Sequence, residues 1–167
     1  LHWEEGLSLV IQRASLMASL PKDGAMLVVF LSEQETQSFI TQHNLDVSIA
    51  CINAPTVCVL SGHSKNITIA ERLFKTVDVQ TRRLATALAF HSQHMTPILK
   101  PFSDAILCTL KTQTPPHPRS EHHPRFLSTV QAQYISTSEL RTPSYWTKHT
   151  ILPVKFFHAF KQIANEG

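Results

Sequence analysis

Apolar positions recur along this chain first with helical and then with strand spacing, and the change falls at Pro21 and Gly24. From Trp3 to Ser19, the residues Leu7, Leu9, Val10, Ile11, Leu16 and Met17 lie mainly on one face of a 3.6-residue period. Glu4 and Glu5 sit at the end where the helix dipole favours acid. Ala25–Leu31 is an unbroken apolar run, the pattern of a buried strand. Ser32, followed three residues later by Glu35, forms a capping box that opens a helix to about His43. Asp46–Ile52 alternates toward a strand, Pro55 begins a turn, and Val57–Leu60 is a further strand. Ser64–Thr76 reads as a helix, with Ser64 as its cap, and Val77–Ala87 as a strand containing Arg82 and Arg83.

The resulting β-α-β-β-α-β order over 25–87 predicts a ferredoxin-like unit, with two helices on one face of an antiparallel sheet. A helix is expected from about Met95 to Leu110. The stretch Thr114–Pro124, dense in Pro, His and Arg, reads as a surface loop. Phe126–Val130 predicts a short strand; Tyr145–His149 and Pro153–Ala164 predict helices, Pro153 being admissible in a first helical turn. No internal repeat interrupts this order.

Composition narrows the chemistry. Over 167 residues, 43% are hydrophobic and 16% charged, enough to bury a core and unlike a disordered tail. There are only 4 glycines, at Gly6, Gly24, Gly62 and Gly167. Their wide spacing excludes a Walker A loop and a GxGxxG turn, where backbone must approach phosphate closely. It also excludes a GxSxG elbow within the chain. A net charge of +3, scattered along the sequence, does not point to nucleic acid. An RNA-binding ferredoxin-like domain would also carry stacking aromatics on its strands, and these are missing. Three cysteines without CxxC spacing favour reduced thiols and a cytoplasmic setting. No apolar run approaches the ~18–20 residues of a membrane span, so no membrane association is expected.

Several residues carry two readings. His117, His122 and His123 invite zinc, yet no cysteine lies near them in sequence; a solvated loop and no metal are expected. Gly62-His63-Ser64 begins like a hydrolase elbow, but Lys65-Asn66 follow where a second glycine is needed. Arg13 lies among Leu9, Leu16 and Met17. Snorkelling is the commoner fate of such an arginine; the other reading is bidentate capture of a substrate carboxylate. His91, between a strand and a helix, is either a capping or core-edge histidine or a general base at a seam.

Taken together, six ordered segments resemble the acyltransferase domain of polyketide and fatty acid synthases, the malonyl-CoA:acyl-carrier-protein transacylase family. Glu5–Met17 resembles the helix with the family's carboxylate-binding arginine. Asp46–Gly62 is similar to "IAAxNGPxxVVLSG", and Ala89-Phe90-His91-Ser92-Gln93-His94-Met95 to "HAFHSxxM". Phe126–Val130, Tyr145–His149 and Pro153–Phe156 are similar to the "STV … YW … PVRF" tail.

The resemblance implies an α/β fold: the C-terminal part of an α/β-hydrolase-like core with an inserted ferredoxin-like subdomain. Residues 1–22 and 88–167 would belong to the large subdomain and 23–87 to the small one. It implies transfer of a malonyl group from malonyl-CoA to the phosphopantetheine thiol of an acyl carrier protein, with no bound cofactor. His91 would be general base and acid, with a backbone carbonyl at His149 orienting it. Arg13 would hold the malonyl carboxylate, Phe90 would select the acyl group, and Asn53 would line the site. Partners would be the carrier protein and neighbouring synthase domains such as a ketosynthase. The alternative is a non-catalytic remnant that docks a carrier protein or synthase domain.

Departures accompany the match. Leu88 stands where "HAFH" has its first histidine, and Ala14 where glycine usually follows the arginine. The family's GHSxG serine would lie upstream of Leu1, so the chain is expected to be a fragment, inactive alone and with apolar surface uncovered.

Overall fold

The computed structural model describes residues 3–111 and 125–166, so the loop histidines 117, 122 and 123 lie outside the described residues. Helix α1 (Trp3–Ala18) leads into a sheet unit of β1 (Gly24–Val29), α2 (Glu33–Gln42), β2 (Ser48–Ala54), β3 (Val57–His63), α3 (Ser64–Thr76) and β4 (Thr81–Arg83). A 3-10 turn (Gln93–Met95) and α4 (Thr96–Lys111) follow. A hairpin of β5 (Phe126–Ser128) and β6 (Gln133–Ile135) then precedes α5 (Thr137–Leu140), α6 (Pro143–Ile151) and α7 (Phe156–Ala164).

The four strands lie in the order β2-β3-β1-β4, each neighbouring pair antiparallel. All six residues of β1 are buried because both of its faces are covered. Ala25, Leu27 and Val29 pack with Ile40 of α2 and with Ile67, Ala70 and Phe74 of α3. Met26 and Val28 point the other way, to Ala50 and Val59, and Leu84 and Phe90 close over them. The predicted capping box is present: the Glu35 N–H donates to Ser32 Oγ at 3.2 Å, and the Ser32 N–H donates to Glu35 Oε2 at 2.9 Å.

Four local expectations are corrected. Ser64 does not cap α3; it is the first helical residue, and His63 Nδ1 accepts the Lys65 N–H at 3.2 Å instead. The strand expected over 77–87 shrinks to Thr81–Arg83. Val77 still caps α3, Asp78 takes a left-handed φ of 57°, and after Leu84 the chain turns off the ladder toward α4. Pro153 does not open α7, which starts at Phe156, because Val154 is drawn into a parallel bridge with Cys51 on the edge of β2. Finally, the single strand expected at 126–130 is the first arm of a hairpin.

Two chain crossings join the sheet unit to the helices around it, and they touch. The Gly24 N–H donates to the Ala87 carbonyl at 3.0 Å. A Cβ on Gly24 would lie 2.3 Å from the Ala89 nitrogen, closer than any side chain could come. This glycine therefore sets how near the start of β1 lies to the Ala89–Ser92 turn.

Candidate active site

The helices beside the sheet meet through Leu9 of α1, which is buried against Phe102, Ile106 and Leu110 of α4, with Trp146 of α6 packed on the same cluster. On a helix, positions three and four apart share a face. Arg13 is one turn beyond Leu9, and His149 one turn beyond Trp146. Packing of the apolar pair therefore carries the polar pair together, and Arg13 Nη1 lies 3.2 Å from His149 Nδ1. Gln12 adds a polar tie from α1 to α4, donating to Thr109 Oγ1 at 3.0 Å.

His91 reaches the same place from the other side. It sits at φ 54° in a tight turn, where the buried Ser92 donates its hydroxyl to the Ala89 carbonyl at 2.7 Å. Its ring centroid is 6.2 Å from that of His149. Its Nδ1 lies 3.0 Å from the Leu152 carbonyl oxygen. A carbonyl can only accept, so Nδ1 carries the proton and Nε2 is left with a free lone pair.

That carbonyl is available because α6 ends there. Leu152 is extended, at φ −82° and ψ 158°, as the residue before a proline must be. The terminal carbonyls of a helix have no partner within it. The segment beyond is pinned to β2: the Val154 N–H donates to the Ala50 carbonyl, and the Ile52 N–H to the Val154 carbonyl, both at 2.9 Å.

The carbonyl that meets His91 Nδ1 is that of Leu152, whereas the family resemblance put an orienting carbonyl at His149. The backbone of His149 is still inside α6, and its side chain faces Arg13 instead. Leu152 escaped the sequence reading because a backbone carbonyl has no residue-type signature. The Leu152-Pro153 pair was the available signal, since it marks a helix end with a freed carbonyl.

Electrostatics favour neutral imidazoles. Burial, with a smaller push from the Arg13 charge, lowers the His91 pKa, while the Leu152 carbonyl acts in the opposite direction. His149 is lowered to about 4 by burial first, then by Arg13 and His91. Burial also lowers Arg13, yet a guanidinium stays charged at neutral pH. The result is one cation beside two neutral rings, one of which presents a basic nitrogen.

Phe90 precedes His91 and packs between two clusters, Met26, Val28, Ala50 and Val59 on one side and Leu20, Met95 and Ile98 on the other. Asn53 is exposed near the end of β2, where its Oδ1 accepts the Cys51 thiol at 2.8 Å. Among the described residues no serine, threonine or cysteine side chain is hydrogen-bonded to His91, and no group of three or more His, Cys, Asp or Glu could hold a metal ion. No helix among them is long and apolar enough to cross a membrane.

Comparison with known proteins finds relatives in one family. A family model described as the acyl transferase domain matches residues 1–167. The chain is 34% identical over 147 residues to the 6-hydroxymellein synthase cdmE of Talaromyces verruculosus, covering 85% of the chain and 6% of that synthase. It is 30% identical over 170 residues to the polyketide synthase GfsA of Streptomyces halstedii, covering 100% of the chain and 2% of GfsA. Among solved structures, the acyltransferase domain from the second module of the salinomycin polyketide synthase superposes with a TM-score of 0.84 at 26% identity, covering 100% of the chain and 37% of that structure. The malonyl CoA-acyl carrier protein transacylase of Burkholderia pseudomallei gives 0.80 at 28% identity, covering 99% of the chain and 54% of the enzyme. The chain belongs to the acyl transferase domain family.

Proposed function

We propose that this chain supplies the base and the carboxylate clamp of a polyketide-synthase acyltransferase that moves a malonyl group from coenzyme A to the phosphopantetheine thiol of a carrier protein. The observation that carries the reading is the convergence of Arg13 from α1 and His91 from the Ala89–Ser92 turn on His149 of α6. A docking module would need neither a bare basic nitrogen nor a half-buried arginine beside it. The strand order and helix placement support reading residues 23–87 as a ferredoxin-like small subdomain inserted into an α/β-hydrolase-like large one, formed by 1–22 and 88–167. Carrier protein and adjoining synthase domains would be the partners, in the cytoplasm.

In this reading the nucleophile is a serine supplied by an upstream segment of the same polypeptide. His91 Nε2 takes the serine proton as Oγ attacks the thioester carbonyl. The imidazolium then returns that proton to the departing coenzyme A thiolate, leaving an acyl-serine. In the second half the carrier thiol gives its proton to His91 and attacks the acyl-serine, and the serine oxygen recovers the proton as it leaves. Arg13 offers two N–H groups to the malonyl carboxylate, which a fork-shaped guanidinium matches in geometry. Phe90, fixed between two apolar clusters beside the base, would bound the space available to the acyl substituent.

The test is acyl labelling of the full-length protein with malonyl-CoA and acetyl-CoA. His91→Ala should lower the transfer rate by ~10²–10⁴-fold, the usual worth of a general base. Arg13→Ala should weaken malonyl transfer by at least about tenfold, the equivalent of a hydrogen bond to a charged group, while sparing acetyl transfer. Unchanged labelling in His91→Ala refutes the assignment of the base.

A further inference from the structure

We propose that His149 is a positioning residue for Arg13: its imidazole Nδ1 accepts a guanidinium N–H and sets the direction in which the remaining N–H groups meet the substrate carboxylate. The inference rests on the acyltransferase reading and gives the side chain of His149 a role toward Arg13, whereas the family resemblance gave its backbone a role toward His91.

The chemistry of the pair fixes the protonation state. Arginine has five donors and no acceptor, so a guanidinium nitrogen 3.2 Å from His149 Nδ1 requires that nitrogen to be bare. The one proton of the neutral ring is then on Nε2. Burial and the neighbouring Arg13 charge both favour this neutral form.

The ring itself is held in place. Tyr145 and Trp146, on the same helix, stand with their centroids each 6.1 Å from that of His149. Tyr145 is buried and donates to Ser128 Oγ at 3.1 Å, and Trp146 Nε1 donates to the Leu140 carbonyl at 2.8 Å. Both neighbours are therefore anchored at their polar ends.

A neutral acceptor suits a carboxylate clamp better than an acid would. An aspartate or glutamate on Arg13 would fix its direction but cancel its charge, and would compete with the substrate for the same fork. Among the described residues no ion pair joins Arg13 to a carboxylate; Glu5, two turns earlier on α1, pairs with Arg141 at 3.6 Å. His149 thus orients the guanidinium and leaves its full charge for the incoming anion.

Two measurements on the full-length protein test this. Steady-state transfer is compared for His149→Leu, which removes the acceptor, and His149→Asn, which keeps an acceptor oxygen near the place of Nδ1. The leucine variant should raise KM for malonyl-CoA about tenfold with kcat within about twofold and KM for acetyl-CoA unchanged. The asparagine variant should recover most of the loss. Equal effects on both acyl-CoA substrates, or no effect on either, overturn the positioning role.

Long-range 1H–15N NMR of histidine-labelled protein at pH 7 reads the tautomer without reference to activity. The Nε2–H form on His149, lost in Arg13→Met, supports the contact. Transfer accompanied by an Nδ1–H form overturns the role of His149 alone. Wild-type protein that has the Nε2–H form yet transfers no malonyl group overturns the proposed function, and the substrate role of both residues with it.

Discussion

The Nδ1 of His91 lies 3.0 Å from the carbonyl oxygen of Leu152, a residue 61 positions further along the chain. The contact joins the turn that leaves the sheet to the end of α6, and it fixes which ring nitrogen is basic. Its consequences for rate and pH can be measured.

The acid limb of kcat/KM should lie below pH 6.5. His91 must be unprotonated to act as base, and its pKa is lowered from 6.5 by burial, which outweighs the opposing Leu152 hydrogen bond, with a lesser push from Arg13. A lowered pKa keeps the base free further into acid, so activity should persist at pH 6.5 and fall only beneath it. A limb at or above 6.5 would contradict this environment for His91.

Pro153→Ala should slow transfer with little effect on stability. Without the proline, Leu152 is no longer driven from helical backbone and α6 can run on, turning the Leu152 carbonyl away from His91. Misorienting a catalytic group by about 1 Å can cost ~10²-fold, so kcat should drop while KM for malonyl-CoA holds. Equal kcat in the two proteins would show that the bridge between Val154 and Cys51 holds the carbonyl unaided.

Gly24→Ala tests the close crossing. The added methyl would meet the Ala89 nitrogen at 2.3 Å and the Leu88 carbonyl carbon at 2.7 Å, both backbone atoms. Overpacking of this kind costs about 1–3 kcal/mol, and relief requires the Leu88–His91 segment to move. Loss of transfer together with a lower Tm is expected, whereas Gly6→Ala, with nothing within 4 Å, should preserve both.

The chain taken alone should self-associate. Leu7, Val10 and Ile11 of α1 are 50%, 53% and 56% exposed, and Phe156, Phe160 and Ile163 form a second stripe on α7 at 51%, 60% and 51%. Contiguous apolar surface of that kind drives association or dye binding. Sedimentation over a concentration series should give a rising mass, and Val10→Glu with Phe160→Glu should lower it.

Local elements were legible in the sequence where one residue type does one job. The box of Ser32 and Glu35, the apolar run of β1 and the bounds of α3 all follow from side chains acting on their own neighbourhood. Misses arose where an unusual residue filled a common role. His63 caps with a ring nitrogen in place of a hydroxyl. The β5–β6 hairpin turns through Ala132 at φ 55°, a conformation for which glycine or asparagine would have been the expected sign. At the site, Arg13 and His91 were legible by type, whereas the Leu152 carbonyl and the contact of His149 exist only once α1, α4 and α6 are packed.

His91 holds a left-handed φ of 54°, which L-residues other than glycine adopt at a cost of about 1–2 kcal/mol. The proposed base is therefore kept where the backbone is least comfortable, and the fold around it must supply the difference. His91→Gly should melt higher than His91→Ala by roughly 1 kcal/mol of stability, although neither transfers an acyl group. Selection of variants for thermal endurance alone would thus drift toward glycine at this position. In the proposed mechanism that cost serves acyl transfer and not the fold.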